Sequence, residues 1–254
     1  MFKLVIFVIT MLLAIAGACI LLRKKVKEEK TKRIVLLICS VVTVLVHYSS
    51  ILYHFVAEGD ATTVIIHNPQ YLLPIYPCNV VMWLCVIVAL IKDNKSKVFI
   101  TLSEFITFFG IFSGILGMSL NFDFIANPTF LDYDVTKGMF SHSFMILNCC
   151  LFPVFGYIKI STPRNMVSVL VGVVLLWLIG SYNNLTFELL TSYTPQSINS
   201  MFLVTTPFEG APWLTFFPIV GMMLVLYLIF FNVYELIAYR KGNRWFDKIK
   251  SKDK

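Results

Sequence analysis

Two side chains in this sequence suit covalent chemistry together: the thiol of Cys78 and the imidazole of His142. Cys78 stands in the run Leu73-Pro74-Ile75-Tyr76-Pro77-Cys78-Asn79. Pro suits the first turn of a helix, so the run marks a helix start. A thiol there feels the positive partial charge of unpaired backbone N–H groups, which favours the thiolate. A Cys nucleophile with a His acid/base partner can attack a carbonyl with little further help. His142, in Ser141-His142-Ser143, opens a second apolar segment. Asn79, or the N–H groups of the helix start, are candidates to hold the oxyanion.

Other polar groups fall on apolar stretches, where they are costly and therefore informative. His47 and His54 are seven residues apart and share a helix face, with Tyr48, Ser50 and Tyr53 nearby. Asn148 lies farther along the segment that begins near His142. Plain structural readings stand beside these. A single Cys in an apolar helix is usually a packing residue. The His47/His54 face also fits a packing seam, and His67 fits an ordinary loop residue. Glu104 either pairs inside the bundle or reaches the inner interface; Glu235 and Arg240 read as interfacial. The six cysteines show no zinc spacing with histidines and lie in or beside apolar runs. No metal site, disulfide framework or cofactor is expected.

The elements that must carry these residues follow from composition. Of 254 residues, 58% are hydrophobic and 14% charged, with a mean hydropathy of +0.80. That is too apolar for one soluble core, and it suits a chain solvated by lipid. A bilayer core needs roughly 20 apolar residues per helix. Spans are predicted at Phe2–Leu22, Ile34–Ala57, Leu72–Ile91, Val98–Met118, Met139–Ile158, Met166–Tyr182 and Pro212–Ala238. The fold class is therefore all-α: a polytopic membrane protein with seven transmembrane helices in one integral membrane domain, residues 1–254.

Charge gives those spans an orientation. All 21 Lys and Arg residues except Lys3 and Lys137 fall in the first, third and fifth connections or in the tail after Ala238. Glu58, Asp60, Asp123, Asp132, Asp134, Glu188 and Glu209 fall in the other connections. The positive-inside rule then sets the N-terminus outside and the C-terminus cytoplasmic, with a basic tail from about residue 239. A cell-membrane location follows. The basic charge of +7 is spread in short runs, which argues against nucleic acid as a partner. Lys3 and Ala16-Gly17-Ala18 loosely resemble a signal sequence. Cleavage there would leave Arg23–Arg33 outside, so an uncleaved first helix is expected. The orientation gathers Cys78 and all four histidines toward the outer side. Two long outer connections, Ser119–Gly138 and Asn183–Ala211, are too apolar for disorder and are expected to fold over that mouth.

Three motifs carry a resemblance. Leu73–Asn79 is similar to an "LPLHLC" segment, and Ser141-His142 to a Ser-His pair after an outer loop. Asn199-Ser200-Met201-Phe202-Leu203 with Pro207 and Pro212-Trp213 is similar to a "NYMFL…P…PW" block. Together they resemble the YwaF-like bacterial integral membrane family, which is similar in turn to eukaryotic transmembrane lipid acyltransferases. Tyr76 stands where many bacterial relatives have His, Asn79 where the eukaryotic group has His, and Ser200 where Tyr is usual. The resemblance implies Cys78 as acyl-accepting nucleophile and His142 as its acid/base. It also implies membrane lipids, through their phospholipid acyl chains, as partners. Asn79, His47, His54, Asn148 and Asn199 are then candidate binding residues. The competing class is a non-enzymatic small-molecule binder, transporter subunit or assembly factor. No inverted repeat of the transporter kind is visible.

Overall fold

A computed structural model describes residues 2–58, 73–120, 124–125, 129–190, 198–206, 210–240 and 242–247. His67 and residues 121–123, 126–128, 191–197 and 207–209 of the two long connections lie outside the described residues. Among the described residues there are helices and no strands. The α-helices are α1 (Phe2–Lys25), α2 (Glu29–Glu58), α3 (Pro77–Leu90), α4 (Lys97–Ser119), α5 (Tyr133–Val154), α6 (Thr162–Leu190) and α7 (Phe216–Ala238). A 3-10 turn covers Ser200–Phe202. Each helix overlaps one predicted span. Five of them, α1, α2, α4, α6 and α7, are long and apolar enough to cross a membrane. The 14 residues of α3 give about 21 Å at 1.5 Å per residue, short of a bilayer core of about 30 Å. The 22 residues of α5 suffice in length, but Asp134, Lys137, His142 and Asn148 make that helix polar.

The chain divides into two compact units, Met1–Tyr157 and Ile158–Lys254. In the first, α5 packs against α1, α2, α3 and α4. Small residues let these backbones approach, as is usual for membrane helices. A methyl at Gly110 would collide with Cys149 Sγ, and one at Gly114 would come within 2.5 Å of Ile146. Cys19 of α1 and Cys150 of α5 pack against the same apolar cluster, around Met118, Met139 and Ile146, and all six cysteines are free.

Local chemistry sets the helix ends. Ser96 and Asp132 cap α4 and α5, accepting from Phe99 N and Val135 N. Pro77 opens α3. The C-termini are closed by cations from the start of α2. Arg33 Nη2 donates to Ala89 O at 3.0 Å and to Ile91 O, and its guanidinium lies 5.5 Å from the Phe99 ring centre. Lys32 Nζ donates to Phe155 O at 3.2 Å. Carbonyls at a helix end lack intrahelical donors and carry negative partial charge, so cations suit them. These bonds bring the start of α2 and the ends of α3 and α5 to one end of the unit. Nearby, Glu29 accepts from Tyr157 Oη at 2.8 Å. Burial and that carboxylate push the Tyr157 phenol above its ordinary value.

In the second unit, α6 is longer than the predicted Met166–Tyr182. Its start is held by Glu235 of α7, which is 1% exposed. Glu235 accepts from Thr162 N at 2.6 Å, Thr162 Oγ1 at 2.9 Å and Trp245 N at 2.9 Å. The interfacial reading of Glu235 is thus corrected: three donors compensate for its burial. Glu104 is likewise fully buried in α4, so it does not reach an interface.

Candidate functional site

The polar end of the first unit is opposite the Arg33 end. The last turns of α2, the start of α3, the end of α4 and the first turns of α5 meet there. Its centre is Asp134, in the first turn of α5. Ser50 Oγ donates to Asp134 Oδ1 at 2.7 Å, and His54 Nε2 lies 2.7 Å from Oδ2. Lys137 Nζ stands 3.6 Å from Oδ1, and its side chain is only 10% exposed. Tyr53 and Tyr133 stack at 4.1 Å beside them, and Tyr133 Oη donates to Ser49 Oγ at 2.6 Å. Burial would raise the Asp134 carboxyl. The bonds from Ser50 and His54, with the Lys137 charge, outweigh it and hold the carboxyl below its ordinary 3.8.

His142 is one turn farther along α5 than Lys137. Its Nδ1 lies 2.8 Å from Gly138 O. A carbonyl can only accept, so Nδ1 carries the proton and Nε2 keeps its lone pair. The ring edge rests on α4 at Gly117, where any Cβ would collide with Nε2. That tautomer is the one a general base requires.

Cys78 is the second residue of α3, as the Pro-rich run predicts. Its S–H donates to Asn79 Oδ1 at 3.2 Å. No direct hydrogen bond joins Cys78 to His142. Asn79 is 1% exposed, and its Nδ2 has no partner. His47 stands edge-on to Tyr48 at 4.9 Å, and its buried Nδ1 also lacks a partner. Tyr48 in turn accepts from Trp83 Nε1 at 2.9 Å.

His54 reaches the first turn of α5 through Asp134, whereas His47, seven residues earlier on α2, stands against Tyr48 of its own helix. Asn148 does not join them. It is fully buried and donates to Ser40 Oγ of α2 at 2.7 Å, as a polar tie between helices. Asn199 belongs to the second unit. Its amide closes its own turn, donating to Thr205 O at 2.9 Å and accepting from Thr205 N at 3.0 Å and Val204 N at 3.2 Å. No group of three or more His, Cys, Asp or Glu among the described residues has metal-binding geometry. Two central residues, Asp134 and Lys137, enter the sequence reading only as loop charges. Their signal was available: apart from Lys3, Lys137 is the one basic residue off the basic side.

A protein-family sequence model, described as the TMEM164 family, matches residues 1–238. The chain belongs to the TMEM164 family. This is a family of membrane proteins, in keeping with the five long apolar helices. The family match runs to Ala238, the last residue of α7, and takes in both units. No curated protein and no solved structure matches the chain.

Proposed function

We propose that this TMEM164-family member is a thiol-dependent lipid acyltransferase or lipid hydrolase of the cell membrane. In this reading all seven helices span or enter the bilayer, with the N-terminus outside and the C-terminus cytoplasmic. The polar end of the first unit faces outward, and membrane phospholipids supply the acyl ester. The observation that carries the reading is the lone pair of His142 Nε2, fixed by the Nδ1 bond to Gly138 O at the same end of the bundle as Cys78. The motif resemblance to YwaF-like proteins and to lipid acyltransferases supports it.

The chemistry is a two-step transfer. His142 Nε2 takes the Cys78 proton as the Sγ–C bond forms, and the carbonyl π pair moves onto oxygen. The pair then returns, the ester C–O bond breaks, and the leaving alkoxide takes the proton from His142. A hydroxyl acceptor or water reverses these steps on the thioester. For this sequence, the Cys78–Asn79 bond must open and the two side chains must close on the substrate. Catalytic hydrogen bonds are often loose until substrate binds.

The experiment is to incubate purified protein with acyl-labelled phospholipid and look for a hydroxylamine-labile adduct on the Cys78 peptide. It is expected in the wild type and absent in Cys78→Ser. An equal adduct in Cys78→Ser, or no adduct in either, overturns the reading in favour of a non-catalytic lipid binder.

A further inference from the structure

We infer that the turn after α7 is an anchor for anionic phospholipid headgroups, built from a docked aromatic pair and the basic residues around it. The inference goes beyond the acyl-transfer reading and does not rest on it. The family match ends at Ala238, so the anchor lies past the stretch that the family model covers.

The turn is folded back on its own helix. Trp245 Nε1 donates to Asn232 Oδ1 at 2.9 Å, and Trp245 N donates to Glu235 Oε2 at 2.9 Å. Arg244 reaches the last carbonyls of α7, donating to Tyr239 O at 3.2 Å and to Leu236 O at 3.1 Å. A cation suits a helix C-terminus for its charge as well as its donors. Asp247 Oδ2 accepts from Gly242 N at 2.8 Å and closes the turn. Gly242 has φ +92°, a conformation that glycine adopts without strain. Glu235 also holds the start of α6, so the turn is fixed to the packing of the second unit.

This docking sets a depth. Asn232 lies about 9 Å before Ala238 along α7, at 1.5 Å per residue. That helix is long and apolar enough to cross a membrane. Val233, Leu236 and Ile237 in its last turns are exposed apolar side chains. Trp245 is therefore held level with a lipid-facing surface, and Phe246 stands edge-on to it at 6.1 Å. Aromatic rings of this kind settle at the headgroup level of a bilayer.

Charge names the partner. Residues 240–254 hold seven Lys or Arg against two Asp. Arg240 is exposed, and so are Lys159 and Arg164 at the approach to α6. The two segments meet where Tyr239 Oη donates to Ile160 O at 2.6 Å and Lys159 Nζ lies 5.7 Å from the Tyr239 ring centre. Cations bordering exposed apolar side chains match a bilayer with anionic headgroups, which attracts basic segments next to a membrane helix. Nucleic acid would meet the charges but not the apolar side chains.

The test places full-length protein in nanodiscs of phosphatidylcholine alone or with about 30 mol% phosphatidylglycerol, an anionic lipid. Amide hydrogen exchange of peptides covering residues 239–254 is followed by mass spectrometry. Phosphatidylglycerol is expected to slow exchange there by about tenfold, and about 0.5 M salt to remove most of the difference by screening. Lys248→Gln, Lys250→Gln and Lys252→Gln combined leave the docking bonds in place and are expected to cut the slowing to about twofold. Asn232→Leu keeps every charge but removes the acceptor of the indole, and is expected to weaken the slowing as well. Equal exchange in the two discs, or an undiminished difference in either variant, overturns the inference. Protection by soluble polyphosphate in phosphatidylcholine discs, with none from phosphatidylglycerol, also overturns it and assigns the segment to a soluble partner.

Discussion

His54 Nε2 and Asp134 Oδ2 lie 2.7 Å apart, and that contact ties the last turns of α2 to the first turn of α5. With Ser50 on the other oxygen, it depends on Asp134 being ionised. The carboxyl is held below its ordinary 3.8, so the folded state binds its proton less readily than the unfolded chain. The stabilisation is therefore complete above that ordinary value and is lost as pH falls through the depressed one. Thermal melts of detergent-solubilised protein from pH 7 to pH 3 should show an acid-side decline. Asp134→Asn should melt lower at neutral pH and show a smaller decline.

Gly117 tests the role of His142 without removing it. Any side chain at Gly117 collides with Nε2. Gly117→Ala should displace the imidazole by about 1 Å and reduce acyl transfer by about a hundredfold. Alkylation of Cys78 by iodoacetamide should persist. Full transfer activity in Gly117→Ala would exclude His142 Nε2 as the working base.

Glu235 offers a stability test confined to the second unit. Glu235→Ala leaves Thr162 N, Thr162 Oγ1 and Trp245 N without their acceptor. The cost should be on the order of 3 kcal/mol, given about 1–3 kcal/mol for each buried donor and partial relief by water. Glu235→Gln keeps an accepting oxygen and should lose much less. Denaturant titration of both variants separates the two outcomes.

Cys19 and Cys150 pack against one apolar cluster, and α1 packs on α5. A short bifunctional thiol reagent should join the peptides containing Cys19 and Cys150, and Cys150→Ser should abolish the product. Absence of the joined pair in wild-type protein would contradict the packing of α1 on α5.

The helices were legible because hydropathy is a property of neighbouring residues. Their ends were less so, because partners distant in sequence decide them. Arg164, Asn165, Asn183 and Asn184 look like the borders of a short span. Instead, Asn165 Oδ1 accepts from Ser161 N at 2.7 Å. Asn184 Oδ1 accepts from Ser200 N at 2.8 Å, and Asn183 donates to Ser200 Oγ at 3.1 Å. The helix runs through all four. In the site, Cys78, His47, His54 and His142 were legible from residue type and helix phase. Lys137 and Asp134 were not, because an i,i+3 charged pair beside a loop is ordinarily solvated, and only the approach of α2 encloses it. The Asn199 amide is claimed by its own turn, and Asn148 Nδ2 by Ser40 across the bundle, while Asn148 Oδ1 is buried without a partner.

The cations that close α3 and α5 come from residues made much earlier. Lys32 and Arg33 emerge from the ribosome well before Ile91 and Phe155, the carbonyls they later hold. Until then their charge has water, lipid headgroups and the neighbouring Glu29, 4.0 Å from Lys32, to face. Biosynthesis thus begins with a clamp that waits open. It closes on α3 first and on α5 last, and the first compact unit ends at Tyr157, two residues past Phe155. A truncation just before Phe155 should leave that clamp half-engaged, whereas one after Tyr157 delivers every carbonyl it needs.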